Sequence, residues 1–219
     1  MTDEADVIVS AVVGVPNGNA RIFTHHGEDI IDARGASGGV TIYGGQRDDT
    51  IFGSAFGDHI AGGSGDDVIM GEGGADHVYG DSGFNIDLTE RLSVATAGGI
   101  QILTVVTASA FGDIRPTFDP LVAGLDFIDG GAGDDIVIGD HGIITQAAFT
   151  QRLVSTGQVT SVVGNEFDNG ADDVLFGGSG DDIIIGGTGA DEIDGNEGAD
   201  VIFGDHGQVD LTGAGYAGP

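Results

Sequence analysis

The sequence predicts an all-β fold, a parallel β-roll solenoid with inserted β-hairpins, on three observations. A nine-residue period runs through three blocks of the chain, with glycine usually opening each unit, aspartate at its sixth place and an aliphatic residue at its eighth. Glycine recurs every few residues, and each one costs about 1 kcal/mol in a helix interior, so helix is excluded. Between the blocks lie β-branched stretches broken by two-residue turns of the kind that close hairpins. A short fixed period decides the architecture before any other consideration.

Taken in order, residues 7–13 followed by Asn17-Gly18 read as the tail of an earlier hairpin, so residues 1–23 are assigned to a preceding repeat. Residues 24–83 form the first roll block. Four unbroken units open at Gly44, Gly53, Gly62 and Gly71, with Asp49, Asp58, Asp67 and Asp76 sixth and Ile51, Ile60, Ile69 and Val78 eighth. Asp29 holds the sixth place of an earlier unit. Gly80-Asp81-Ser82-Gly83 closes the block. An inserted hairpin, residues 84–120, follows, in which 92–97 and 100–107 flank Gly98-Gly99. The second block, residues 121–142, has units opening at Leu121 and Gly130, with Asp126/Ile128 and Asp135/Val137, and closes on Gly139-Asp140-His141-Gly142. Residues 143–167 make the second inserted hairpin, with 153–156 and 159–163 flanking Gly157-Gln158. The third block, residues 168–207, opens units at Asp168, Gly177, Gly186 and Gly195, giving Asp173/Leu175, Asp182/Ile184, Asp191/Ile193 and Asp200/Ile202, and closes on Gly204-Asp205-His206-Gly207. Residues 208–219 begin a further repeat, since Gln208-Val209-Asp210-Leu211-Thr212 echoes Asn85-Ile86-Asp87-Leu88-Thr89. The chain thus reads as a segment of a longer array.

Within a unit, the glycine half makes a tight turn that needs positive φ. The β-branched half, such as Asp67-Val68-Ile69-Met70, suits a strand of about three to four residues. Two units make one coil, with strands on two opposed sheets. Eighth-place residues then point inward as an aliphatic ladder, and their neighbours point outward. Those outward residues include Tyr43, Phe52, Met70, Tyr79, Ile136, Ile138, Phe176, Ile183, Ile185 and Phe203. Bare, they would make large apolar patches, so they are expected to be covered by the hairpins, by another copy of the chain, or by both.

The 36 acids face six arginines and no lysine, for a net charge of −30. That excludes nucleic acid as a partner, because phosphate binding needs clustered cations. Eleven acids stand at sixth places: Asp29, Asp49, Asp58, Asp67, Asp76, Asp126, Asp135, Asp173, Asp182, Asp191 and Asp200. Alternate units stack on the same edge, which sets Asp49 beside Asp67 and Asp58 beside Asp76. Two carboxylates about 5 Å apart repel by about 3 kcal/mol at an effective dielectric of 20. A cation between stacked turns reverses the sign. Carboxylates with backbone carbonyls form an all-oxygen site that suits calcium, not zinc or copper, and cysteine is absent. Fifth-place acids (Asp48, Asp66, Asp134, Asp172, Asp181) read as a solvated negative rim. Asp81, Asp140 and Asp205 either ligate an ion at a block's end or cap its turn. His141 and His206 occupy equivalent places in their long repeats, which argues for a structural role in the turn.

Gly62-Gly63-Ser64-Gly65-Asp66-Asp67-Val68-Ile69-Met70 and the units opening at Gly130, Gly177 and Gly186 match Gly-Gly-x-Gly-x-Asp-x-U-x in full, U being a large aliphatic residue. In these units the sequence resembles the RTX (repeats-in-toxin) calcium-binding proteins. Arg47 and Phe56 replace the third glycine, and Ser54, Glu72 and Asn196 the second. The resemblance implies several Ca2+ ions between successive turns on an edge, held by the sixth-place Asp and by carbonyls of the glycine half. By matching positions, the carbonyl candidates are Gly62, Gly63 and Gly65, Gly130, Gly131 and Gly133, Gly177, Gly178 and Gly180, and Gly186, Gly187 and Gly189. It also implies export in an unfolded state and folding on calcium outside the cell.

No catalytic constellation is present, so the chain is read as a non-enzyme. Gly35-Ala36-Ser37-Gly38-Gly39 matches the pattern of a nucleophile elbow but lacks its strand–turn–helix context. No apolar run is long enough to span a membrane. The leading expectation is a calcium-binding structural segment of a large secreted or cell-surface repeat protein, such as an adhesin, an S-layer-like protein or an extracellular matrix filament. Self-association into a homopolymer is open. The alternative is the calcium-dependent C-terminal domain of a secreted enzyme or toxin. An ice-binding face would need a ladder of Thr and Asn, and the third places hold Gln46, Ala55, Ser64, Gly73, Ala132, Ser179 and Thr188 instead. Zero cysteine fits an extracellular protein stabilised by metal rather than by disulfides.

Overall fold

The computed structural model describes residues 7–9, 20–81, 83–87, 91–97, 100–106, 117–120, 122–146, 159–165 and 167–211. Each nonapeptide supplies one short strand and the glycine turn that carries the chain to the opposite sheet. Thr50–Phe52 lies in one sheet, His59–Ser64 in the other, and Val68–Met70 returns beside the first, with Ile51 opposite Ile69. Repetition builds two seven-stranded parallel sheets. The first runs in the order Val7–Val9, Ile30–Asp32, Thr50–Phe52, Val68–Met70, Phe127–Ala132, Val174–Ser179, Glu192–Glu197. The second runs Ala20–His26, Val40–Gln46, His59–Ser64, His77–Tyr79, Ile136–Ile138, Ile183–Ile185, Val201–Phe203.

The inserted segments leave this register untouched. Val68–Met70 pairs directly with Phe127–Ala132, and Ile136–Ile138 pairs with Ile183–Ile185, as though nothing lay between. A loop can be long because its closure entropy grows only slowly with length. Between the sheets, Ile31, Ile42, Ile51, Ile60, Ile69, Val78, Ile128, Val137, Leu175 and Ile184 form the expected inward ladder, all fully buried. The ladder weakens at the last coil: Ile193 is only partly buried and Ile202 is 46% exposed, because no described coil stacks beyond them.

A second layer covers one roll sheet. Gly83–Asp87 and His141–Gln146 begin within closing tetrapeptides and Gln208–Asp210 directly follows one, and with Val159–Asn165 they form a four-stranded sheet. Ile144 and Val162 from this cover pack with Tyr79, Ile136, Ile138, Ile183 and Ile185 on the outer face of the second roll sheet, and Phe203 sits at the margin. The expectation that inserted segments cover outward apolar residues therefore holds for this face. On the first sheet, Phe52, Met70 and Phe176 remain half-exposed, interspersed with Asp32 and Asp129. Arg34 lies 4.3 Å over the Phe52 ring and pairs with Asp32 at 2.8 Å.

One sequence expectation changes. Val7–Val9, read as part of a hairpin tail, pairs in parallel with Ile30–Asp32 and is a roll strand. No glycine unit precedes it in the sequence, so the nine-residue period does not reach it. In the first insertion Arg91–Ala97 and Ile100–Val106 pair antiparallel with Ala97 opposite Ile100, the hairpin expected around Gly98-Gly99, and Thr117–Pro120 adds a third strand. In the second, Val159–Asn165 pairs with His141–Gln146 and Gln208–Asp210, while residues 153–156 lie outside the described residues.

Candidate metal centres along the two edges of the roll

The turns bring the sixth-place aspartates into two columns, one on each edge. On the first edge, Oδ1 of Asp49, Asp67, Asp126, Asp173 and Asp191 accepts the backbone N–H of Asp29, Asp49, Asp67, Asp126 and Asp173 respectively, at 2.7–3.0 Å. On the second, Oδ1 of Asp76, Asp135, Asp182 and Asp200 accepts the N–H of Asp58, Asp76, Asp135 and Asp182 over the same range, 2.7–3.0 Å. Asp49 thus stacks on Asp67, and Asp58 on Asp76. Both columns cross the insertions without a break: the Asp67–Asp126 bond spans 59 residues where an ordinary coil spans 18.

The second oxygen is another matter. Oδ2 of Asp76, Asp126, Asp135, Asp173, Asp182 and Asp191 is buried with no hydrogen-bond donor. Each points into a space left by the glycine that opens a unit, where the carbonyl of the equivalent glycine one turn on also points. A Cβ built on Gly130 would lie 2.6 Å from the Gly177 carbonyl oxygen and 2.8 Å from Asp135 Oδ2. The same pairing of carboxylate and carbonyl recurs at Gly44 (Asp49 with Gly62), Gly62 (Asp67 with Gly80), Gly71 (Asp76 with Gly130), Gly80 (Asp126 with Gly139), Gly139 (Asp173 with Gly186), Gly177 (Asp182 with Gly195) and Gly186 (Asp191 with Gly204). Glycine at each cradle is therefore required for space, because any side chain would fill it; where Leu121 and Asp168 open a unit, Gly80 and Gly139 of the preceding closing tetrapeptides take that role.

Two electronegative oxygens that face one cavity without a proton between them are costly, and a donorless buried oxygen costs about 1–3 kcal/mol by itself. Without a cation the carboxyls hold protons more tightly than usual. Burial, with the neighbouring Asp135 and Asp58 charges, pushes Asp76 up to about 10. Burial, with Asp140 and Asp191 nearby, pushes Asp173 to about 8. Burial raises Asp135 to about 7 and Asp182 to about 6. Asp126 is also raised, by burial and then by Asp81 and Asp67. Among the described residues no three His, Asp or Glu side chains gather around one point. The donors at each cradle are instead one carboxylate and main-chain carbonyls. That hard all-oxygen set fits calcium.

Of the candidate carbonyls, those of Gly62, Gly130, Gly177 and Gly186 are the ones placed beside a sixth-place Oδ2. A Cβ built on Gly124, Gly178 or Gly180 would meet the carbonyls of Gly65, Gly131 and Gly133 respectively, with no sixth-place Oδ2 among its nearest atoms. Second and fourth places adopt positive φ, as at Gly63 and Gly65 (119° and 140°), and the degenerate units keep that geometry at Arg47 (80°), Glu72 (75°) and Asn196 (64°).

Sequence reasoning missed a second ladder. The fifth-place acids are exposed, or half-exposed at Asp134, as a rim should be, yet Oδ1 of Asp48, Asp66, Asp134, Asp172 and Asp181 also accepts an N–H one turn on, from Asp66, Leu125, Asp181, Ala190 and Ala199, at 2.8–3.1 Å. Their recurrence at the fifth place of five units was the available signal. At the block ends, Asp140 caps turns by accepting from Ala171 N–H (3.0 Å) and Thr188 N–H (2.5 Å). Asp81 Oδ1 accepts from Gly124 N–H at 3.1 Å, and its Oδ2 lies 3.8 Å from His141 Nε2. His206 Nε2 sits 2.7 Å from Thr188 Oγ1, with its ring edge-on to Phe167. His141, which also lies 2.9 Å from Asn169 Nδ2, thus joins the second block to the first and third, while His206 holds a turn within the third block. Residues 35–39 join two strands, Ile30–Asp32 and Val40–Gln46, so the context of a nucleophile elbow is missing.

A family model for the RTX calcium-binding nonapeptide repeat matches four times, at residues 34–55, 52–87, 123–143 and 167–202, together just over half of the chain. The chain belongs to this family. RTX nonapeptides bind calcium, several ions along an array, and the matched spans carry ten of the sixth-place aspartates, from Asp49 to Asp200. No curated protein and no solved structure matches the chain. Among the described residues no helix is long and apolar enough to cross a membrane.

Proposed function

We propose that calcium ions lie between successive turns on both edges, and that the chain is a structural RTX roll segment of a large secreted or cell-surface repeat protein, such as an adhesin, an S-layer-like protein or an extracellular filament, that folds when it meets calcium. The observation that carries this reading is the row of buried aspartate Oδ2 atoms without donors, each sharing a cradle with a carbonyl. In the proposed sites the sixth-place carboxylates supply the charge, the first-place carbonyls face them, and carbonyls at the second and fourth places complete the shell. Calcium modules working outside cells have affinities of about 10⁻⁴–10⁻³ M, which suits a fold assembled after export. A structural role is supported by the cover sheet, to which each block contributes a strand, so that length and surface grow together. No part of this function requires catalysis.

Calcium titration by calorimetry on Asp135→Asn and Asp134→Asn tests the ligand register. Asp135→Asn is expected to weaken one site by about tenfold or more, because it removes a charged ligand. Asp134→Asn, which changes only a half-exposed acceptor, should stay close to the parent chain. Equal losses would contradict the assignment.

A further inference from the structure

One unit breaks the pattern. Asp58 begins the second column, but both of its oxygens have donors. Oδ1 accepts from Val40 N–H at 2.7 Å and from the Ser54 hydroxyl at 2.8 Å, and Oδ2 accepts from Ser54 N–H at 2.5 Å. Asp76, Asp135 and Asp182, the next three in the same column, each have Oδ2 buried without a donor. The cause is local. Ser54 and Phe56 replace the second- and fourth-place glycines, and neither takes the positive φ seen at those places in other units. Ser54 N–H therefore turns inward onto the carboxylate, and the buried Ser54 hydroxyl, which accepts from Phe56 N–H at 3.1 Å, adds a second donor.

A cation at the Gly53 cradle would have to share Asp58 Oδ2 with an N–H whose positive end already points at it. We propose that the unit of residues 53–61 is closed by its own serine instead of by calcium, so that the second column of ions begins at Asp76 and the roll contains one edge turn that forms without metal. The proposal rests on the reading that the other cradles take calcium.

Counting calcium ions per folded full chain by native mass spectrometry tests it. Asp58→Asn should retain the parent's count, whereas Asp76→Asn should hold one ion fewer. Ser54→Gly combined with Phe56→Gly restores the family pattern and should add one ion. Loss of an ion in Asp58→Asn, matching that in Asp76→Asn, would overturn the proposal while leaving the wider calcium reading intact. If Asp58→Asn does not fold, the double glycine variant decides: one extra ion supports the proposal, and an unchanged count overturns it. A parent chain that binds no calcium at all would overturn both readings together.

Discussion

The two oxygens of a sixth-place aspartate have different environments, and this sets how the roll responds to pH. Oδ1 of Asp135 holds the Asp76 N–H at 2.7 Å, while Oδ2 is buried with no donor. In the calcium-free fold Asp76, Asp173 and Asp135 have pKa values raised from 3.8 to about 10, 8 and 7. The folded state then binds more protons than the unfolded one, so stability is fullest below the unfolded value and is lost as pH rises through the folded values. Calcium needs the deprotonated ligands, so its apparent affinity moves the opposite way. We expect chelated protein to gain β signal in circular dichroism on acidification from pH 8 to pH 5. We also expect the calcium midpoint to shift to higher concentration over the same change, and the reverse order would contradict this account. The left-handed conformation of Glu72 (φ 75°) yields another prediction. A non-glycine residue there costs about 1–2 kcal/mol, so Glu72→Gly should raise the denaturant midpoint slightly, by up to about 1 kcal/mol after glycine's own entropy cost. The eleven sixth-place acids were legible in the sequence because they repeat in phase. The fifth-place ladder and the Ser54 clasp were not, because each depends on where an N–H points.

At the scale of elements, the roll strands are triplets too short to stand alone, and their order comes from stacking. The first hairpin could be read from Gly98-Gly99 because its strands are neighbours in sequence. The cover sheet could not, since it gathers one strand from each of three distant blocks and Val159–Asn165 from the second insertion. The expectation of coverage came from the outward apolar rows at Tyr79, Ile138 and Ile185, all fully buried beneath Ile144 and Val162. The strand at Val7–Val9 escaped for the opposite reason, lacking a glycine unit to mark its phase. Ile144→Ala should destabilise the calcium-loaded chain by about 2–4 kcal/mol, the range for a large-to-small change in a packed layer. The number of calcium ions bound should not change, because Ile144 packs in the apolar layer with Tyr79, Ile138 and Ile185 rather than against an edge aspartate. A denaturant melt paired with an ion count checks both, and loss of ions in this variant would mean that cover and edges are coupled.

Across the whole molecule, the aliphatic ladder gives only a thin core, one inward side chain per strand. Against it stand six donorless sixth-place carboxylate oxygens among the described residues in the metal-free state. At about 1–3 kcal/mol each, they rival the entire net stability of an ordinary domain, about 5–15 kcal/mol. With a net charge of −30 besides, self-repulsion favours an expanded chain. The fold class, the period and the calcium-binding chemistry were all legible from spacing and charge alone, because a repeat places the same chemistry at every turn. The most direct test follows secondary structure and hydrodynamic radius together, by circular dichroism and size-exclusion chromatography, first in chelator and then in millimolar calcium at neutral pH. Calcium should convert an expanded chain with little regular structure into a compact, β-rich one in a single cooperative step, and an equally compact and β-rich chain in chelator would contradict the claim that metal closes the roll.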